Sequence, residues 1–179
     1  MSDSAMRILK LTSVALTREK QLILQEELEK YASSTNYVIK VIMQKHITKE
    51  QKAIEVVEAL FSTRFDSRPE YLRDVVKTAR SEVGRHRRMA RTIRTMRGRT
   101  AYFRLGKMIL SHPLVSVDEK GLAVRVSNNS ELPIPFDKRS RNQNADELLA
   151  LSKNASMLGR IRITWNKQGY ADIDIQAKE

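Results

Sequence analysis

Apolar and polar positions follow two different rhythms along this chain, and the change falls near Gly98. Before it, apolar residues recur at helical spacing, and after it they alternate, the signatures of a helix stripe and of a half-buried strand. Residues 7–14 (RILKLTSV) read as a short opening strand. Thr17 then has the chemistry of a helix N-cap, with Glu19 in the first turn where a carboxylate favours the helix dipole. Leu24, Leu28, Tyr31, Val38 and Ile42 make one face of that first helix. Thr48-Lys49-Glu50-Gln51 fits a capping box and predicts a second helix with the face Ala53, Val56, Val57, Leu60 and Phe61. Ser67-Arg68-Pro69 predicts a third, because proline is tolerated in a first turn whose N–H has no partner. It should run from Pro69 to about Thr95, turning Leu72, Val75, Val76, Ala79, Val83, Ala90 and Ile93 toward a core, with Gly84 interrupting it.

Past Gly98, Val115 and Val117 alternate with polar residues, as do Leu122, Val124 and Val126. Asp118-Glu119-Lys120-Gly121 between them reads as a hairpin loop with glycine where a positive φ is wanted. Residues 132–136 (LPIPF) are extended, and their prolines suit a sheet edge. Residues 137–144 read as a polar loop and 145–153 as a short helix. Ile161, Ile163 and Trp165 alternate outward and Ala171, Ile173 and Ile175 alternate back, with residues 166–169 as the turn. A strand, three helices and then several strands predict an α+β fold: a small antiparallel barrel or sheet with about three helices inserted after its first strand. The expected division is a β domain of residues 6–15 and 100–176, a helical insertion of residues 16–99, and tails at 1–5 and 177–179.

Charge gives this layout a direction. The net charge is +12, yet residues 77–107 hold eleven basic residues and a single acid, Glu82, leaving only +2 for everything else. Nine of the eleven are arginine, whose planar fork suits bidentate phosphate contact. At about 100° per residue, Arg80, Arg87, Arg91 and Arg94 share one stripe beside the apolar face. Arg88, Arg97, Arg99, Arg104 and Lys107 extend the basic tract. Solvated helix faces usually mix signs, so a one-sign stripe of this density points to nucleic acid. A membrane surface fits less well, since no bulky apolar edge adjoins the stripe. No apolar run approaches the roughly 18 residues that span a bilayer, and residues 1–5 lack the apolar core of a secretory signal, so the chain is expected in the cytoplasm.

Other chemistry is sparse. Cysteine is absent, which excludes disulfides, thiol catalysis and cysteine zinc sites. His46, His86 and His112 lie far apart without metal-ligand spacing, although His86 sits among arginines and could add a donor to phosphate. Asp66, Glu70 and Asp74 suit helix-start electrostatics better than catalysis. Trp165 reads as core, and of the neighbours Tyr102 and Phe103, interleaved with arginines like a single-strand platform, one should be buried. No phosphate loop, nucleophile elbow or metalloprotease motif is present, so no catalytic residue, metal or cofactor is expected.

The ordered set of segments resembles the N-terminal half of the TnpB (OrfB) proteins of insertion sequences, RNA-guided nucleases related to type V CRISPR effectors. The opening strand with LTREKQLILQEELEKYASSTNYVIK is similar to that family's first strand and helix, and EYLRDVVKTARSEVGRHRRM to its basic helix. AYFRLGKMIL, VSVDEKGLAVRV, ELPIPF and GRIRITWNKQGYADIDIQ resemble its returning strands and last hairpin. The resemblance implies a wedge-type barrel split by a helical recognition lobe that holds guide RNA and its hybrid with DNA by shape and backbone. It ends near Glu179, where the family's nuclease domain begins, so it implies binding without cleavage and allows a separate nuclease chain as partner. RNA or an RNA–DNA hybrid is therefore the favoured ligand, with duplex DNA possible. A DNA-binding transcriptional regulator and a subunit docking an acidic protein are the alternatives.

Overall fold

The computed structural model describes residues 5–179. The architecture is α+β, with five helices and two open antiparallel sheets rather than a closed barrel. The described residues divide into two compact units, 5–28 with 106–179 and 29–105. The division falls inside the first helix, later than the sequence boundary before residue 16, because that helix is one uninterrupted element, α1 (Arg18–Gln44).

The first unit is built on β1 (Met6–Thr12), β2 (Lys107–Leu110), β6 (Leu158–Asn166) and β7 (Tyr170–Lys178), in the order β1-β7-β6-β2. β1 pairs antiparallel with β7, a strand from the far end of the chain. Register lines up two apolar rows on one face: Leu11, Ile173, Ile163 and Met108, then Leu9, Ile175, Ile161 and Leu110. All eight are buried. Each such aliphatic side chain stabilises by about 1.5–3 kcal/mol, and a one-residue slip would turn both rows to solvent. Across the other face, Arg162 forms an ion pair with Asp174. Trp165 shares the apolar parity but is only half-buried, because it lies beside the turn that closes the hairpin. That turn uses Gly169 at φ +96°.

β3 (Val115–Val117), β4 (Gly121–Arg125) and β5 (Glu131–Pro135) form the second sheet, with β5 and its two prolines at an edge. Gly121 does not serve a positive φ; the reason for glycine is close approach, since a Cβ there would lie 2.5 Å from the Ile134 carbonyl oxygen. The loop itself is held by Asp118 Oδ1, which accepts from the amides of Lys120 at 2.7 Å and Gly121 at 2.8 Å. Residues expected as a polar loop form a short helix, α4 (Lys138–Gln143). Its only strong signal is local: Asp137 caps it, accepting from Ser140 N at 2.7 Å, while buried Ser140 Oγ accepts from Thr12 N at 2.9 Å. α5 (Ala145–Lys153) follows, burying Leu148 and Leu151.

The second unit packs the rest of α1 with α2 (Glu50–Arg64) and α3 (Pro69–Thr92). Its core holds an aromatic cluster in which the Tyr31 ring meets Tyr71 at 6.1 Å and Phe103 at 5.5 Å, both edge to face. The Tyr31 hydroxyl is 2.6 Å from Thr78 Oγ1, so this buried phenol is satisfied. α2 buries Ala53, Val57 and Phe61, but Val56 is half-buried and Leu60 is 47% exposed, a narrower stripe than the sequence suggested. The capping box does not form: Lys49 is the N-cap and no side chain caps the helix.

Candidate nucleic-acid interface

α3 begins as a core helix and ends as a basic one. Its start is fixed by Asp66, which accepts from the Arg68 amide and guanidinium and from Lys30 Nζ at 2.8 Å. Tyr71, Leu72, Val75, Val76, Ala79 and Val83 are buried, and beyond Val83 no residue of α3 is. Ala90 is half-buried and Ile93 is 42% exposed, so neither joins the core as expected. The helix outruns the layer it packs on, and its last turns carry Arg85, Arg87, Arg88 and Arg91 with no acid among them.

Three local devices bring other segments to those turns. α1 ends in a Schellman motif: the Ile47 amide donates to Ile42 O at 3.0 Å, and His46 between them holds φ 51°. This left-handed position usually falls to glycine, and both flanking isoleucines are buried. α3 ends at Thr92, earlier than Thr95, and the guanidinium of Arg97 folds back onto its last turn. Arg97 Nε donates to Ala90 O at 2.9 Å and Nη2 to Arg91 O at 3.0 Å, a cation on the negative end of the helix. Residues 96–100 then return toward α1, where the Ala101 amide donates to Met43 Sδ at 3.3 Å.

Between these segments lies an open groove of about 810 Å³. Arg87, Arg91, Arg97 and Arg99 line it, with His46 and His86, over an apolar component of Met43, Ala90 and Met96. No carboxylate is in the lining. Glu82, the one acid of the tract, is already paired with Arg85 at 2.6 Å. Among the described residues Arg87, Arg91 and Arg99 have no ion-pair partner. Two like charges ~8 Å apart near a protein surface repel by about 2 kcal/mol before salt screening, so such a lining is relieved by any bound anion. A second groove of about 410 Å³ adjoins it, lined by Lys77, Arg80, Gly84 and again Arg87.

The tract is therefore sorted rather than striped. Arg87 lines both grooves, Arg91, Arg97 and Arg99 the larger, and Arg80 the smaller. Arg80 is tethered, donating to Thr48 O at 3.0 Å and to Glu50 at 3.4 Å. Arg94 leaves the predicted stripe because the helix has ended; it opens a single 3-10 turn, Arg94–Met96. Arg88, Arg94 and Arg104 are exposed outside both linings, and Lys107 belongs to β2 of the other unit. His46, Met43 and Gln44 were missed, since their contribution depends on contacts with residues about half a domain away in sequence. His86, which sits among the arginines in the sequence, also lines the larger groove.

Among the described residues no three of His, Cys, Asp and Glu gather to hold a metal ion. Nor, among them, is any helix long and apolar enough to cross a membrane. No known family model matches the chain, and no curated protein is significantly similar to it.

Proposed function

We propose that this chain is a nucleic-acid-binding module that takes the phosphate backbone of RNA, or of an RNA–DNA hybrid, in the groove at the end of α3. The observation that carries the reading is the lining of that groove: four arginines, two histidines and no carboxylate. The Arg97 guanidinium, held by the two carbonyls it caps, has little freedom of its own left to lose on binding. The resemblance to the N-terminal half of TnpB proteins agrees with this role and favours RNA over duplex DNA. It also allows a separate nuclease chain as partner.

Anisotropy titrations with a labelled RNA hairpin, an RNA–DNA hybrid and a DNA duplex test the reading. The hairpin and hybrid should bind more tightly than the duplex, and replacing Arg87 and Arg91 together by glutamine should weaken all three while circular dichroism stays unchanged. Tighter binding to duplex DNA would favour a DNA-binding regulator instead, and no binding to any of them would leave an acidic protein as the partner. With magnesium or manganese, the protein should leave all three substrates uncut, because two-metal cleavage needs clustered carboxylates. Metal-dependent cleavage that co-purifies with the chain would overturn the non-catalytic assignment.

A further inference from the structure

The segment leaving the basic groove displays an aromatic ring in an unusual way. Tyr102 is 67% exposed, the most exposed large hydrophobic side chain among the described residues, while its neighbours Ala101 and Phe103 are buried. An exposed tyrosine alone means little. This one sits on backbone that is anchored on both sides. The Asn36 side chain stands in for a missing strand partner: its Nδ2 donates to Phe103 O at 3.0 Å and its Oδ1 accepts from Phe103 N at 2.8 Å. On the other side, the Ala101 amide is held by Met43 Sδ. The Phe103 ring locks the segment further by packing on Tyr31 in the core. Burial of Phe103 thus forces Tyr102 outward and keeps its backbone still.

Tyr102 borders a cavity of about 260 Å³ that also includes Lys40 and Gln44. Met43, Gln44 and Thr100 line both this cavity and the arginine groove, so the two are neighbours on the surface of one unit. A ring face, an amide and an ammonium beside a phosphate-sized run of cations are what a nucleotide needs when its base has left the stack. We infer that Tyr102 is a stacking platform for an unpaired base of the strand whose phosphates lie along Arg87, Arg91, Arg97 and Arg99. The inference rests on the reading of that groove as a phosphate site. It adds that the preferred ligand has unpaired nucleotides next to its bound backbone, a single strand or a loop, and that base identity matters little, since every base has a stacking face. The interior of a duplex offers no free base face to the ring.

The experiment compares Tyr102→Ala and Tyr102→Trp with the unaltered chain, using a labelled single-stranded oligoadenylate and a blunt RNA duplex of the same length. Tyr102→Ala should weaken the single strand by roughly 5- to 150-fold, the range of one lost stacking contact, and leave the duplex within about twofold. Its salt dependence on the single strand should not change, because no phosphate contact is removed. Tyr102→Trp should retain binding. Equal loss on both probes, or no loss on either, overturns the stacking role. The two readings fail differently. If the unaltered chain binds neither probe, the phosphate site falls and the platform with it. If Arg87→Gln with Arg91→Gln weakens binding while Tyr102→Ala does not, only the platform falls.

Discussion

A single carboxylate holds the start of α3. The Asp66 side chain is 2% exposed and lies between Lys30 and Arg68, each 2.8 Å away. Burial pushes its carboxyl toward a higher pKa, but hydrogen bonds from Arg68 and Lys30 outweigh that, and the group ends below its ordinary 3.8. A depressed folded-state value stabilises the protein above the unfolded pKa, and that stability is lost as pH falls through the folded one. Asp66 therefore protects the helical unit at neutral pH, starts to lose that effect as pH falls past the ordinary 3.8, and has lost it only below its folded-state pKa. Asp66→Asn should cost about 1.5–3 kcal/mol at neutral pH, because it takes the charge out of hydrogen bonds with the half-buried Lys30 and Arg68. Urea denaturation at neutral pH and through a series of acid pH values below 3.8 checks this: the gap between the two proteins should narrow as pH falls. An equal gap at every pH would place the acid sensitivity elsewhere.

Two glycines show how the same residue type serves elements in opposite ways. Gly84 sits inside α3, where a Cβ would meet nothing closer than Arg88 Nη1 at 3.6 Å. Gly84→Ala should therefore stabilise by about 0.5–1 kcal/mol, the ordinary difference in helix propensity. A Cβ at Gly121 would instead strike backbone, at 2.5 Å from Ile134 O and 2.8 Å from Pro135 Cα. Gly121→Ala should cost about 1–3 kcal/mol by prying β5 from β4. Opposite shifts in thermal midpoint are expected, and a shared sign would contradict the packing given for one of them. The same contrast explains what could be read from the chain. Hydrophobic period sufficed for α1, for α5 and for the hairpin of β6 and β7, because each buries a regular stripe. It failed for α4, whose KRSRNQ sequence has no apolar period and whose existence depends on Asp137 and a buried Ser140. It overran α3 at Ala90 and Ile93, since nothing local tells a helix where its packing partner stops. In the candidate site the arginines were legible from charge alone. Their sorting was not, because Arg80, Arg94 and Arg97 are told apart only by Glu50, a helix end and two carbonyls.

For the whole molecule the deciding fact is charge distribution: residues 77–107 hold ten of the twelve net positive charges. A polyanion bound there displaces condensed counterions, so log affinity should fall linearly with log salt, by about 0.7–0.9 per phosphate neutralised. The larger groove offers Arg87, Arg91, Arg97 and Arg99, and the smaller adds Lys77 beside the tethered Arg80. Four to six contacts would give a slope of roughly −3 to −5. Arg87→Gln with Arg91→Gln should flatten it by about 1.4–1.8, whatever the ligand's sequence, because phosphate contacts carry no base information. The fold should survive, since both side chains are exposed and neither is paired within the described residues. Lysine at the same two positions should keep most of the slope while losing affinity, as charge remains and the bidentate fork does not. An unchanged slope in a folded glutamine variant would take α3 out of the interface. The rest of the chain would still net +8, with Arg97, Arg99 and Arg104 beyond the helix, so the same measurement on Arg97→Gln with Arg99→Gln would then decide whether any of the basic tract meets a polyanion.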